Sequence, residues 1–200
     1  MKLHKGGGGK GGGANMSKKI RIGFAGAGWM GEQFLNKIKL KENTELVAVW
    51  DPNQEAAAEV LKRTGYNASY LVPNYEMIIN NDEIDAVLIA SPNTFHSEQS
   101  LKALQKSKHV FCEKPNSTYW QDHLKMVEVD HNNPNLVTMT NYTLYFNPME
   151  QIIKKMVTDR FFGKITQLQV NYRHAVNING DKGWKLKKVF VGDALGMGIT

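Results

Sequence analysis

Glycines at 26, 28 and 31 stand at the spacing G-x-G-x-x-G, directly after the β-prone run Ile20-Arg21-Ile22-Gly23-Phe24-Ala25 and before an amphipathic stretch, Glu32 to Leu40. That arrangement is suited to holding a pyrophosphate. Gly26 permits a tight turn out of the strand, and Gly28 has no Cβ to keep phosphate oxygens off the backbone. Gly31 lets the helix pack closely on the strand, so that the helix's first N–H groups and its dipole face the anion. Trp29 and Met30 fill the variable positions of this cradle. A second β-prone run, Leu46 to Trp50, ends in Asp51, 20 residues beyond Gly31, where a carboxylate that binds ribose hydroxyls belongs.

Two further stretches carry groups that can do chemistry. Ser91-Pro92-Asn93-Thr94-Phe95-His96 follows a run ending at Ala90, and Glu113-Lys114-Pro115 follows one ending at Cys112. A lysine beside a carboxylate at a strand end can donate a hydrogen bond to a substrate hydroxyl or carbonyl, and proline restricts the local turn. His123 and His131 lie eight residues apart, and no cluster has the spacing of a metal site. His109, His123, His131 and His174 are therefore expected to be structural or solvent-facing.

The elements that must position these groups alternate along the chain. Helices are expected at about Gln54 to Thr64, closed by Gly65, at Tyr75–Asn80, at Phe95 to Lys106 and at Thr118 to Asp130. Between them lie strands at Ile84–Ala90, His109–Cys112 and Leu136–Thr140, with a short strand possible at Ser69-Tyr70. Each parallel crossover needs a helix, so the alternation predicts an α/β fold: a doubly wound parallel sheet with helices on both faces. Ligands bind beyond the carboxyl ends of such strands. From residue 147 the character changes. A helix from Pro148 to about Thr158 precedes a strand, Ile165 to Arg173, then a polar loop, Val176 to Lys188. This predicts a second α+β domain, truncated where the chain stops. The expected division is 1–17 leader, 18–146 dinucleotide-binding domain and 147–200 incomplete substrate or oligomerisation domain.

The net charge of +6 is misleading about partners. Residues 1–19 carry five lysines and no acid, whereas residues 20–200 carry 20 basic and 19 acidic side chains. The folded part is nearly neutral, which excludes an electrostatic case for nucleic acid. The Gly/Lys-rich leader buries nothing and is expected to be disordered, with Met16 a natural start. Cys112 is the only cysteine, which excludes an intrachain disulfide and fits a reducing compartment. It is expected to serve as a small buried side chain. No apolar run approaches the ~20 residues that span a bilayer, and the lysine-bearing start lacks the apolar core of a secretory signal. A cytoplasmic protein is expected.

Taken together, Gly26-Ala27-Gly28-Trp29-Met30-Gly31, Asp51-Pro52, Pro92-Asn93-Thr94-Phe95-His96 and Cys112-Glu113-Lys114-Pro115 resemble the Gfo/Idh/MocA oxidoreductase family. Phe146-Asn147-Pro148 and Gly163-Lys164-Ile165 fit as well. The resemblance implies a Rossmann domain followed by a substrate domain, and NAD(P)-dependent hydride transfer to or from a secondary alcohol of a sugar or polyol. It implies that Lys114 is the catalytic lysine. Glu113, Asn93 and His96 would line the nicotinamide-ribose end, with Ser91 and Pro92 beside them. It implies NAD rather than NADP, because Asp51 would repel a 2′-phosphate, and a homo-oligomer formed through the second-domain sheet. Tyr142, Tyr145, Arg173 and Trp184 are candidates for the near wall of the substrate site.

Family members carry Asp-x-Gly-x-His in the second domain. This chain reads Val191-Gly192-Asp193-Ala194-Leu195-Gly196-Met197-Gly198-Ile199-Thr200. Aligned without a gap, Gly196 takes the aspartate's place and Thr200 the histidine's; aligned with a gap, the aspartate is deleted between Gly196 and Met197 while Thr200 still replaces the histidine. An unactivated hydroxyl is no general base near neutral pH. A second expectation therefore stands beside the first: a dinucleotide-binding protein without turnover, or an inactive product.

Overall fold

The computed structural model describes residues 18–171. The chain runs β1 (Ile20–Ala25), α1 (Trp29–Lys39), β2 (Thr44–Trp50), α2 (Gln54–Thr64), α3 (Glu76–Ile79) and β3 (Ala86–Ile89). It continues through α4 (His96–Gln105), β4 (His109–Cys112), α5 (Trp120–Asn132), β5 (Thr138–Thr140) and α6 (Pro148–Thr158). The five strands form one sheet in the order β2-β1-β3-β4-β5, and every neighbouring pair is parallel. The doubly wound sheet expected from the alternation is present.

Side-chain alternation along the strands builds two apolar layers. Phe24 and Leu88 point to the face covered by α1 and α2, where they join Leu35, Val49 and Leu61. Val87, Ile89, Val110 and Cys112 point to the opposite face with Ile78 and Leu104. Gly23 admits that second layer close to the sheet: a Cβ there would lie 2.4 Å from Ile78 Cγ2. Burial pushes the Cys112 thiol up to about 12, which fits its place in the apolar layer.

Helix α2 has the bounds its sequence predicts. Asn53 caps its start by accepting the Ala56 N–H, and Gly65 closes it. The segment expected as a short strand at Ser69-Tyr70 is instead a single 3₁₀ turn, Ala68–Tyr70. The sheet contact falls one residue later, as a lone parallel bridge between Leu71 and Val49. The turn wins because Asn67 accepts the Ser69 N–H with its side chain, a local bond that competes with an extended chain.

An ion pair fastens the inner strands at the opposite, amino-terminal end of the sheet. Arg21, at the start of β1, grips Asp85 before β3 through Nη2 at 2.9 Å and Nε at 3.1 Å, and its backbone N–H donates to the same carboxylate at 2.9 Å. These bonds hold the Asp85 carboxyl well below its ordinary value of 3.8. A depressed carboxylate contributes stability that is present above its unfolded pKa and lost as pH falls below it. Asp85→Asn is therefore expected to melt below the wild type above about pH 5. The gap should close as the pH falls below 3.8, as thermal melts across a pH series will read.

Helix α6 begins as predicted, with Pro148 in its first turn and Asn147 accepting the Met149 N–H. None of its residues is buried. Residues 165–171, expected to open a strand, join no sheet among the described residues, and Ile165, Leu168 and Val170 are exposed. A strand needs a partner ladder, and no described segment supplies one there. The leader 1–17, Tyr172, Arg173, His174, the loop 176–188 with Trp184, and the tail with Asp193, Gly196 and Thr200 lie outside the described residues. No described helix is long and apolar enough to cross a membrane.

Candidate functional site

Register brings the candidate residues to one edge. Ala25 is paired with both Trp50 and Ile89, Ile89 with Cys112, and Cys112 with Thr140. The last residues of all five strands therefore stand in a row. The next residues along the chain, Asp51, Gly26, Ala90-Ser91, Glu113 and Asn141, form the rim of the crevice. At the ordinary spacing between strands, Gly26 and Glu113 are roughly 10 Å apart across two steps. The ladder continues into the rim: the Gly26, Ala90, Glu113 and Asn141 N–H groups donate to Trp50, Ala25, Ile89 and Cys112 carbonyls at 2.7–2.8 Å.

The three glycines of the turn are required for different reasons. Gly26 has φ +97°, and a Cβ there would meet the Ser91 N at 2.4 Å, so the β1 and β3 ends touch only because it has none. A Cβ on Gly31 would stand 2.2 Å from the Gly26 carbonyl oxygen. Gly28 differs. Its φ is −75°, which any residue adopts, and a Cβ there meets nothing within 4 Å. Nothing among the described residues demands a glycine at 28, and the open space over it is where an anion would come against the backbone. Gly28 is also the N-cap of α1, and no side chain caps that helix, leaving its first-turn N–H groups for a ligand. Glu32, the acid of that turn, is taken by Arg63 at 2.8 and 2.9 Å, a pairing that holds its carboxyl below the ordinary range. Met30 packs against the apolar layer, and Trp29 is exposed at the mouth.

Asp51 sits beside the cradle. Its Oδ2 accepts the Ala27 N–H at 2.8 Å and its Oδ1 the Asn53 N–H at 2.8 Å. These two bonds aim the carboxylate at the turn and leave each oxygen a second lone pair. Gln54 supports it from behind, donating to the Asp51 and Val72 carbonyls at 2.7 and 3.2 Å. The glycine cradle, the uncapped helix and this carboxylate fit a dinucleotide.

The other half of the rim is laced together. Ser91 is buried and donates its hydroxyl to Gln99 at 2.6 Å; Pro92 leads into a 3₁₀ turn, Asn93–Phe95, in which Asn93 is buried. His96 is 1% exposed. Its Nδ1 is 2.6 Å from the Pro115 carbonyl oxygen and its Nε2 2.7 Å from that of Ser91. Burial lowers the imidazole's pKa, against the pull of both carbonyls and of Glu113. The ring is enclosed and faces backbone carbonyls on both sides, so it braces the loops after β3 and β4.

Lys114 and Pro115 are joined by a cis peptide bond. Glu113 is buried, with Oε1 accepting from Asn141 Nδ2 at 2.5 Å and Oε2 from the Lys114 N–H at 3.1 Å. Lys114 is half-buried, and among the described residues its ammonium makes no hydrogen bond or ion pair. Tyr142 and Tyr145 are exposed. Asn141 and Gln54 are absent from the sequence expectations. Asn141 bears one signal, its place immediately after a parallel strand, while Gln54 looks like any helix-start residue. No described group of three His, Cys, Asp or Glu side chains could hold a metal.

Known proteins share this architecture. Residues 20–141 match the Gfo/Idh/MocA family, described as an oxidoreductase family with an NAD-binding Rossmann fold. A 4-carboxy-2-hydroxymuconate-6-semialdehyde dehydrogenase from Sphingobium is 30% identical over 80% of this chain and 50% of its own. An inositol 2-dehydrogenase/D-chiro-inositol 3-dehydrogenase from Halalkalibacterium halodurans is 28% identical over 78% of this chain and 44% of its own. The crystal structure of scyllo-inositol dehydrogenase from Lactobacillus casei with bound NAD(H) and scyllo-inositol superposes with a TM-score of 0.67 at 27% identity. It covers 74% of this chain and 44% of that one. The chain spans half or less of the length of these relatives. With most of the described residues inside the family match and the glycine turn, Asp51 and the Glu-Lys-Pro turn in place along one sheet edge, the protein belongs to the Gfo/Idh/MocA oxidoreductases with their NAD-binding Rossmann fold.

Proposed function

We propose that the protein binds NAD and serves an oxidoreductase that moves hydride between the nicotinamide and a secondary alcohol of a polyol or sugar. The observation that carries this reading is Gly28: a glycine without a conformational or packing reason, over open space, at an uncapped helix start. The helix start would hold the pyrophosphate, with Asp51 on the adenosine ribose. When bound, the nicotinamide supplies the hydride chemistry. Lys114 would donate a hydrogen bond from Nζ to the substrate oxygen and stabilise negative charge developing there. Ser91, Pro92 and Asn93 would form the wall between the two ends, and His96, with Glu113, would hold the Lys114 turn from behind. A polyol is the substrate class because inositol dehydrogenases are among the relatives and structural neighbours. We place the start of a second, substrate-facing domain at residue 147, a reading supported by α6 burying none of its residues.

Calorimetry on the 200-residue protein tests the cofactor. NADH is expected to bind measurably and in preference to NADPH, and Asp51→Ala to weaken NADH about tenfold, a loss of ~1.4 kcal/mol. A folded sample that takes up neither nucleotide would overturn the proposal. NAD reduction with a panel of inositols and sugars, compared with Lys114→Ala, separates cofactor binding from turnover.

A further inference from the structure

We propose that Asn141 is a positioning residue: it holds the buried Glu113 carboxylate away from the Lys114 ammonium and so keeps that ammonium free for substrate. The inference rests on Lys114 being the group that meets the reacting oxygen. A carboxylate only 7% exposed needs compensating donors or a cation. The cation nearest in sequence is the neighbouring lysine, yet the two side chains do not pair within 4.0 Å. The carboxylate is satisfied otherwise, by the Asn141 amide at 2.5 Å on Oε1 and by the lysine's own backbone N–H at 3.1 Å on Oε2. A carboxylate only accepts, so it is the amide nitrogen of Asn141 that faces it.

Asn141 is well placed to do this. Its N–H donates to the Cys112 carbonyl at 2.8 Å, which pins its backbone to the residue just before Glu113. The sheet register therefore sets the reach of the amide, one strand over from its target. Remove the amide, and Oε1 is left buried without a donor; the ammonium of Lys114 is then drawn in to replace it. The lysine would still be present, but spent on an internal ion pair.

The test reads the lysine itself, without turnover. The full 200-residue protein is treated with acetic anhydride, and acylation of Lys114 is followed by peptide mass spectrometry, with exposed Lys62 as internal reference. Asn141→Ala is expected to slow Lys114 about fivefold relative to Lys62, the effect of a modest ion pair. Adding Glu113→Gln to that variant should restore the rate, because a neutral amide does not trap an ammonium. A merely structural role for Asn141 would leave Lys114 as reactive as in the wild type or more so, and that result overturns the proposal. Slowing that Glu113→Gln fails to reverse overturns it too. Should Asn141→Ala fold poorly by thermal melting, Asn141→Ser, too short to reach the carboxylate, carries the same comparison. NADH calorimetry on the wild type is read separately, so failure of the cofactor proposal and failure of this one are distinguishable.

Discussion

Gly28→Ala is expected to stay folded and to lose at least about tenfold in NADH affinity, ~1.4 kcal/mol or more. The added methyl meets no atom of the described residues within 4 Å, and the φ of −75° suits alanine. The stability cost is that of a poorer N-cap, about 1 kcal/mol, or a melting point lower by about 2–4 °C. The same substitution three residues on behaves in the opposite way. Gly31→Ala drives a methyl to 2.2 Å from the Gly26 carbonyl oxygen, and that backbone is itself wedged against Ser91. A clash with the Gly26 backbone, beside the buried Phe24 ring at 3.2 Å, should cost about 3 kcal/mol, lowering the melting point by about 6–12 °C. Thermal melting and NADH calorimetry on the two variants thus separate a glycine kept for the ligand from one kept for the fold. Wild-type NADH affinity in Gly28→Ala would show that no phosphate approaches this backbone.

His96→Leu is expected to destabilise the protein by about 3 kcal/mol, because it removes the one N–H that the neutral ring donates to the Ser91 or Pro115 carbonyl, leaves that buried oxygen without a donor, and disturbs the packing of a fully buried ring. That corresponds to a melting point lower by about 6–12 °C. Phe95→Ala, at the exposed neighbour, should change it little. The brace joins the loop after β3 to the loop that carries Lys114, so its loss should loosen both strand ends. A residue that touched the cofactor directly would give the reverse pattern. His96→Leu melting with the wild type while binding NADH ten times more weakly would return the histidine to the nicotinamide end.

What the sequence determined by itself was everything encoded within a turn or two of chain. The start of α1 at Gly28, the limits of α2 with Asn53 and Gly65 at its ends, and the Pro148 start of α6 all rest on bonds spanning four residues or fewer. Strand and helix alternation then required a parallel sheet, and a parallel sheet required Asp51, Ser91 and Glu113 to share an edge. The tertiary structure decided which side chains at that edge are free and which are spent. His96 lies 19 residues from Pro115, and Asn141 lies 28 from Glu113; each contact exists only because the register sets two strand ends side by side. A histidine after Pro-Asn-Thr-Phe reads the same on paper whether its ring faces a ligand or two carbonyls. Burial and hydrogen-bond partners over such separations are set by packing, and packing at the strand ends left Lys114 with its ammonium unpaired among the described residues.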